Sequence, residues 1–212
     1  FVIDNASSDS TYLTIIGYKA KEHLPNLKII RNKKNIGYGG SQKKAYNYAI
    51  KKDFDIIVML HGDAQYAPEK IQLILEPLEN GEADMVFGSR MSGNPLKGGM
   101  PLWRYIGNKS LTKIENLVLG LNLSEYHSGF RAFSCEALKK VQFEKCSNNY
   151  TFDTDILIQF KINNFRIVER PIPTHYGIES KSPTLMHTII YSYNILKSLF
   201  YYYIKAKKNK NN

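Results

Sequence analysis

The sequence contains little cysteine, and its cysteines form no recognisable pattern. Among 212 residues there are only two, Cys135 and Cys146, without a CxxC pair or the spacing of a zinc site. Neither a disulfide framework nor a structural zinc site is therefore predicted. Two isolated cysteines fit a reducing compartment, where they act as small buried apolar residues. The sequence also shows no signal peptide, so we expect a cytoplasmic location.

Acidic residues are outnumbered by basic ones. The chain has 29 Lys and Arg against 19 Asp and Glu, a net charge of +10. No acid accompanies the five lysines near the end of the chain, which are Lys197, Lys205, Lys207, Lys208 and Lys210. Such an excess can indicate nucleic acid, an anionic membrane or phosphorylated ligands as partners. Because no helix-turn-helix, zinc-finger or RNA-binding signature is present, we do not expect nucleic acid.

A long uncharged apolar run is also missing. From Pro183 to Lys205, apolar residues recur at three- and four-residue spacing, which predicts an amphipathic helix, but Lys197 interrupts the apolar stretch. The uncharged run before that lysine is too short for a membrane span. An aromatic-rich amphipathic helix followed by lysines is typical of a segment on a membrane surface. We therefore predict that residues 183–212 form a peripheral unit on the cytoplasmic face of a membrane; the alternative is a helix packed on the domain, with a solvated tail.

Short apolar strands alternate with helical patterns through residue 90. This alternation predicts a doubly wound, mostly parallel α/β sheet, and the less regular sequence that follows predicts a mixed or antiparallel extension. Residues 166–173 are predicted to form an edge strand. There is no internal repeat and no interdomain linker, so the length fits one domain. Because Phe1-Val2-Ile3 starts inside a strand pattern, we expect a fragment, or a chain whose first element is missing.

One stretch places polar side chains directly after a strand. The apolar run Ile56–Leu60 is typical of a strand buried on both faces, and it ends at His61-Gly62-Asp63-Ala64-Gln65. Ligands in open α/β sheets bind at the carboxyl ends of strands. Spaced two apart, the side chains at 61, 63 and 65 could converge on a cation. A polar loop with a chance carboxylate explains this stretch equally well.

Glycines precede another predicted helix. The sequence from Asn35 to Gly40, NIGYGG, leads into a helix over about residues 41–51. The glycines either let backbone N–H groups approach a phosphate at the helix start or serve only a tight turn.

Four stretches together resemble the family-2 glycosyltransferases of the GT-A fold, in particular the polyprenyl-phosphate sugar transferases. VIDNASSDST is similar to the base-binding motif of the second strand, and HGDAQYAPE to the metal-binding stretch DxDxQ followed by PE. FGSR matches the next strand end, and EYHSGFRAF resembles the acceptor-side motif DxTSGFR. FDTDIL and the stretch GIESK at 177–181 agree more loosely. In this order the motifs span nearly all of residues 1–181.

The resemblance implies a three-layer α/β sandwich with a mostly parallel central sheet and a C-terminal amphipathic helix. Residues 1–182 would be a GT-A domain that lacks the family's first strand and helix. It further implies a GDP- or UDP-sugar donor, a divalent cation (Mg²⁺ or Mn²⁺), and inverting transfer to a polyprenyl-phosphate or glycan acceptor. Carried over by position, the metal and diphosphate would be held by Asp63 and Gln65, and substrates by Asp4, Asn5, His61, Gly62, Arg90, Ser128 and Arg131.

Two carboxylates are implied as candidates for catalysis. A lipid phosphate is already ionised and needs little general-base help, whereas a sugar hydroxyl would require Glu125 or Asp155 to take a proton. Glu125 stands where the family has Asp, which shifts its carboxylate by about one methylene. The alternative for Arg131 is a structural ion pair. Asp153 is expected to be structural, since acids are favoured in the first turn of a helix.

His61 stands where the family has the first Asp of DxD. A neutral imidazole can ligate Mn²⁺ but suits Mg²⁺ poorly, so we expect His61 to contact the donor instead. His127 and His175 are expected to be loop residues rather than ligands. Two other functions remain open: a nucleotidyltransferase, and a catalytically inactive sugar-nucleotide-binding domain.

Overall fold

The structure is a computed structural model that describes residues 1–63, 65–173 and 185–210. His175, the stretch 177–181 and the proposed boundary between residues 182 and 183 lie outside these ranges, so the expectations for them stay predictions.

Two sheets contain the strands of the described chain. The smaller pairs β1 (Val2–Asp4) in parallel with β2 (Ile29–Arg31). The larger has the order β3-β5-β4-β6, formed by β3 (Ile56–Met59), β4 (Met85–Ser89), β5 (Arg131–Ser134) and β6 (Ile167–Pro171). β5 is antiparallel to both neighbours, while β4 and β6 are parallel. All strands of the larger sheet except β5 therefore run in one direction.

The position of β5 corrects one prediction. The run that contains β3 was expected to be a central strand buried on both faces, but β3 is only partly buried and lies at one edge of the four described strands. β5, from late in the chain, pairs with both β3 and β4, so β3 has a partner on one side only among the described strands. β4 is the fully buried strand, and β6 lies at the opposite edge, where an edge strand was predicted.

Helices cover both faces of the larger sheet. They are α2 (Tyr38–Lys51), α3 (Ile71–Glu79), α4 (Leu102–Leu119), α5 (Cys135–Lys140), α6 (Phe152–Ile162) and α7 (Leu185–Lys210). α1 (Thr11–Lys21) contacts β2 of the smaller sheet. Alternate residues of β4 supply the two cores: Met85 and Phe87 pack with α2, α6 and α7, whereas Val86 packs with α3. This confirms the three-layer α/β class. Both cysteines are buried and free, as expected.

α7 packs on the domain by one face only. Its Ile195 and Leu199 are buried, and it contacts α4 and α6. No helix in the described ranges is long and apolar enough to cross a membrane.

A groove of about 800 Å³ opens between β1, α2 and β3. The side chains of β3 line it together with Phe1, Ile3 and Lys28. Residues that follow the strands, including Asn5 and His61, line it as well. The groove thus runs up to the carboxyl end of β3, where the HGDAQ loop begins.

Candidate active site

The HGDAQ loop exposes one carboxylate. Asp63 is exposed, and its Oδ1 accepts a hydrogen bond from the backbone N–H of Gln65 at 3.1 Å, which closes an Asx turn. Gly62 is exposed too, with open space where a side chain would lie. Within the described ranges, no three His, Cys, Asp or Glu side chains come together as a metal site. A cation at Asp63 would therefore take most of its ligands from a diphosphate and water, as Mg²⁺ usually does.

His61 is engaged with the protein. Its Nε2 lies 3.2 Å from the hydroxyl oxygen of Tyr38, which also lies 3.1 Å from Oδ2 of Asp153. The imidazole packs edge-on against Tyr66, with ring centroids 5.2 Å apart. A β-carbon on Gly129 would lie 2.3 Å from His61 Nε2, so only glycine fits opposite the ring.

The hydrogen bonds around His61 determine its tautomer. Arg131 is fully buried and always charged, and its Nε lies 3.7 Å from Asp153 Oδ1, so an ionised Asp153 neutralises it. An ionised carboxylate only accepts, so Tyr38 donates its proton to Asp153 and accepts from Nε2–H of His61. Nδ1 of His61 is then unprotonated, and no described residue hydrogen-bonds to it.

Burial dominates the electrostatics of this cluster. Desolvation lowers the pKa of His61, although Asp153 and Asp63 act in the opposite direction. Desolvation raises the pKa of Asp153 against the charge of Arg131. Burial and then Asp153 raise the pKa of Tyr38 well above its ordinary value. At neutral pH, His61 is therefore neutral and Tyr38 keeps its proton.

Arg90 and Glu125 pair with each other. Glu125 is 0% exposed, and its carboxylate accepts from the backbone N–H of Arg90 at 2.8 Å, from Nε at 2.8 Å and from Nη2. Burial raises the pKa of Glu125, but the charge and hydrogen bonds of Arg90 outweigh it, so that pKa lies below its ordinary value. The two residues were predicted to meet phosphate and acceptor separately. Glu125 is instead placed to hold Arg90, and a buried carboxylate with a lowered pKa is a weak proton acceptor.

The guanidinium of Arg131 is occupied by backbone carbonyls. Nε donates to Ser128 at 2.7 Å, Nη1 to Asp153 at 2.7 Å and Nη2 to Tyr126 at 2.6 Å. Ser128 itself is buried. This geometry favours the structural alternative for Arg131, in which it fixes the loop 126–131 against the start of α6.

His127 lies in a buried polar cluster, which fits the expectation of a loop residue that is not a ligand. Its Nε2 is 3.0 Å from Glu115 of α4, which also accepts from the hydroxyl of Thr154 at 3.0 Å. Its ring packs against Tyr191 of α7, with centroids 5.6 Å apart. Sequence reasoning did not assign Glu115 or Tyr38 to the site, because the pattern of a helix does not show which loop side chain one of its residues contacts.

The predicted base-binding residues hold the loops beyond the smaller sheet. Asp4 is buried, lies 3.1 Å from Nε of Arg31 and accepts from the backbone N–H of Ser7 at 3.1 Å. Asn5 uses both ends of its amide: Oδ1 accepts from Ile36 N–H at 3.0 Å, and Nδ2 donates to Asn35 at 2.9 Å.

The glycines before α2 serve close packing. Gly39 N–H donates to the carbonyl of Asn148 at 2.8 Å, and a β-carbon on Gly39 would lie 2.3 Å from the carbonyl oxygen of Ser147. Close packing, which neither the phosphate nor the tight-turn explanation included, therefore accounts for Gly39. Asp155 accepts from Ser147 N–H at 2.8 Å and so fastens this loop to α6. Asp155 thus contacts a different loop from the one that holds Glu125.

Comparison with known proteins identifies the family. Residues 1–142 match the model of glycosyl transferase family 2. The chain is 33% identical over 147 residues to a UDP-N-acetylglucosamine–dolichyl-phosphate N-acetylglucosaminyltransferase of Methanococcus voltae, covering 69% of this chain and 59% of that protein. It is 26% identical over 172 residues to an undecaprenyl-phosphate mannosyltransferase of Micrococcus luteus, covering 81% of this chain and 69% of that protein.

A solved structure shows the same fold. Glucosyl-3-phosphoglycerate synthase from Mycobacterium tuberculosis, crystallised with Mg²⁺ and uridine diphosphate, superimposes with a TM-score of 0.67 at 16% identity, covering 95% of this chain and 67% of that one. The likeness confirms the predicted fold class. The chain spans less than two thirds of the Methanococcus relative, 59% of its length.

Proposed function

Because the chain belongs to glycosyl transferase family 2, we propose that it moves a sugar, with inversion, from a nucleotide-diphosphate donor to a polyprenyl phosphate at a membrane surface. The observation that carries the proposal is the exposed Asp63 carboxylate, which follows β3 in the stretch that the family resemblance assigns to the metal. Two of the relatives described above carry names that specify polyprenyl-phosphate acceptors.

Asp63 and Gln65 would hold a divalent cation together with the donor diphosphate. The bound cation would neutralise the charge that develops on the departing nucleotide diphosphate. The geometry of this chain makes that contribution important. Glu125 already neutralises Arg90, and Asp153 neutralises Arg131, so these arginines supply little uncompensated positive charge. They would shape the donor site by fixing the loops at the strand ends.

His61 would contact the donor through its unprotonated Nδ1. The Tyr38–Asp153 pair holds the opposite ring nitrogen, so the imidazole presents a hydrogen-bond acceptor and not a charge. Asp4 and Asn5 would form the base-binding end, where Asn5 positions the loop 32–37.

The engagement of both candidate bases favours an acceptor that is already ionised. Glu125 is buried and accepts hydrogen bonds from Arg90, and Asp155 accepts one from the backbone N–H of Ser147. A sugar hydroxyl needs a positioned proton acceptor, whereas a lipid phosphate does not. The acceptor chemistry that this site supports best is therefore a polyprenyl phosphate.

Two neighbouring helices support contact with a membrane surface. α4 and α7 contact each other, and both expose large apolar side chains. We call this the helix-pair surface; it comprises Leu102, Trp103 and Ile106 of α4 and Ile189, Tyr193 and Phe200 of α7. Exposed apolar and aromatic residues near lysines are the features of a helix that lies in the lipid interface. One face of α7 is buried against the domain, and the opposite face is exposed and would be free to contact a membrane. The two alternatives for this helix, packing on the domain and lying on a membrane, are therefore compatible.

Donor binding tests the proposal. We expect isothermal titration of the full chain with UDP- and GDP-sugars to detect binding that is strengthened by Mn²⁺. Asp63→Asn should abolish the cation dependence while the circular dichroism spectrum stays unchanged, because the substitution removes only an exposed charge. Asp53→Asn, on a carboxylate whose side chain is 88% exposed beside Lys139, is the matched control and should bind as the unaltered chain does.

Three results would count against this account. No binding of any nucleotide sugar with any cation would refute the proposed activity. Unchanged cation-dependent affinity in Asp63→Asn would refute the assignment of Asp63. Binding without transfer to any acceptor would favour the inactive sugar-nucleotide-binding alternative.

A further inference from the structure

The segment from Tyr126 to Ser128 contacts both buried arginines of the site through its backbone. The carbonyl oxygen of His127 accepts a hydrogen bond from Nη2 of Arg90 at 3.0 Å. The carbonyl oxygens of Tyr126 and Ser128 accept from Arg131, at 2.6 Å from Nη2 and at 2.7 Å from Nε. Three consecutive carbonyl groups are therefore fastened to guanidinium groups in the interior.

The side chains of the same segment contact the helices α4 and α7. The hydroxyl of Tyr126 donates to Oδ1 of Asn116 at 2.9 Å, and Nε2 of His127 lies 3.0 Å from Oε2 of Glu115. The imidazole of His127 packs edge-on against the ring of Tyr191 on α7, with centroids 5.6 Å apart and planes inclined by 77°. Only 5% of the His127 side chain is exposed. The 126–128 segment is thus held on one side by the arginines and on the other by the helix pair.

Tyr191 belongs to the inner face of α7. It packs against the same core as Ile195, which is four residues further along the helix and fully buried, whereas Tyr193 is exposed. Burial, followed by the charges of Asp153 and Glu115, raises the pKa of Tyr191 well above its ordinary value, so the phenol is neutral at neutral pH. Its ring is therefore an uncharged packing contact between α7 and His127.

We propose that Tyr191 is a positioning residue, which through His127 holds the 126–128 segment in place for sugar transfer. This inference rests on the proposed function, since it takes transfer to a polyprenyl phosphate as the reaction. Tyr191 needs no contact with either substrate in this role. α7 would then support the site in addition to contacting a membrane.

The effect of losing the ring is expected on use of the acceptor. The 126–128 segment lies in the stretch EYHSGFRAF, which the family resemblance assigns to the acceptor side. Without the ring the segment would lose one of its two supports, while Arg90 and Arg131 would keep Glu125 and Asp153 as partners. The loops that carry the proposed donor ligands would stay in place.

Tyr191→Leu tests the proposal, because leucine keeps an apolar side chain towards the core and removes the ring. A misplacement of about 1 Å can cost about 100-fold in rate, so we expect kcat/KM for polyprenyl phosphate in detergent to fall about 10- to 100-fold. The affinity for UDP and GDP, titrated with Mn²⁺ and without acceptor, should not change. Tyr191→Phe keeps the ring and should restore kcat/KM.

Tyr202→Leu is the matched control. Tyr202 is also a partly buried tyrosine of α7 that packs against the same core, but it lies roughly 16 Å further along the helix axis, at about 1.5 Å per residue. This variant should keep the kcat/KM of the unaltered chain. Neither tyrosine belongs to the helix-pair surface, so both leucine variants should sediment with phosphatidylserine vesicles as the unaltered chain does.

Several outcomes would overturn the positioning role while the proposed function stands. They are an unchanged kcat/KM in Tyr191→Leu, and equal losses in Tyr191→Leu and Tyr202→Leu. A Tyr191→Leu chain that does not fold, or that also loses nucleotide affinity, would show that Tyr191 supports the whole domain and not this segment. If the unaltered chain transfers no sugar to polyprenyl phosphate, the proposed function itself fails, and this inference fails with it.

Discussion

Two buried arginines fix the loops at the strand ends, and each holds one acid as well as backbone carbonyl oxygen. Arg90 holds Glu125 and the carbonyl of His127, and Arg131 holds Asp153 and the loop 126–131. Removing one partner of such a pair leaves an uncompensated charge in the interior, which costs far more than the pair itself contributes. Both pairs are therefore expected to matter for folding as well as for the shape of the site.

Glu125→Gln tests the first pair. We expect it to lower the free energy of unfolding by about 3–5 kcal/mol, because the buried charge of Arg90 loses its counter-ion. Urea denaturation followed by circular dichroism measures this. Glu136→Gln, on the exposed surface of α5, breaks an ion pair with Lys140 and should leave unfolding nearly unchanged. Equal effects of the two substitutions would contradict the role of Glu125 as a buried counter-ion.

The same pair predicts a pH dependence. The folded-state pKa of Glu125 lies below its unfolded value, so its contribution to stability is complete above the unfolded pKa of about 4.3 and is lost as pH falls through the folded pKa. We expect the stability difference between the unaltered chain and Glu125→Gln to be constant from neutral pH to about pH 5. Below about pH 5 the difference in stability should become smaller. A difference that widens on acidification would show that the carboxyl is protonated in the folded protein.

For individual residues, the sequence predicts which ones lie near the site better than it predicts what each of them binds. Arg90 and Glu125 belong to motifs that the family resemblance marks, and both lie at the same end of the sheet. Their pairing could not be predicted, because 35 residues separate them and either one fits a direct role with substrate. His61 is a similar case, since the NIGYGG stretch that contains Tyr38 does not show that this tyrosine contacts His61.

Among the elements, α2 makes a close contact with the loop 147–148. Gly39 approaches the carbonyl oxygen of Ser147 and the side chain of Phe152 so nearly that an added β-carbon would lie 2.3 and 2.7 Å from them. The N-terminus of α2 is thereby closed by Asn148 and held beside the groove. The position of Tyr38, and through it that of His61, depends on this contact.

Gly39→Ala is expected to lower the free energy of unfolding by about 1–3 kcal/mol, because α2 or the loop must move to admit the methyl group. Gly17→Ala, inside α1 with nothing within 4 Å, is the control and should raise it by about 0.5–1 kcal/mol through helix propensity. Urea denaturation of both variants measures these changes in the free energy of unfolding. A stabilised Gly39→Ala would show that the contact is looser than the structure has it.

Strand order was the least predictable property of the elements. The apolar run Ile56–Leu60 located β3 correctly, but a run of apolar residues does not show which strand will be its neighbour. β5 pairs with β3 and β4 through contacts that are distant in sequence, so its insertion between them follows from tertiary packing and not from periodicity.

For the molecule as a whole, charge and exposed apolar surface predict binding to anionic membranes. The helix-pair surface lies on α4 and α7, and five lysines without a neighbouring acid follow in the last sixteen residues. Membrane attraction of this kind combines buried apolar area with screened electrostatics, so it weakens as salt rises.

We expect the full chain to sediment with phosphatidylserine vesicles at low salt, less at high salt, and not at all after deletion of residues 183–212. Phe200→Ser combined with Tyr193→Ser should reduce binding through loss of apolar contact. Leu13→Ser, on an exposed residue of α1, should not reduce it. Vesicle binding that is absent at every salt concentration would contradict a membrane role.

Sugar transfer tests the central claim most directly. Radiolabelled UDP- and GDP-sugars are incubated with the full chain, Mn²⁺ and polyprenyl phosphate in detergent, and the label in the lipid fraction is counted. We predict that label enters the lipid with the unaltered chain and with Asp53→Asn, and that it does not with Asp63→Asn or after chelation of the cation. Donor binding without transfer of label to the lipid phosphate or to any sugar acceptor would contradict the account.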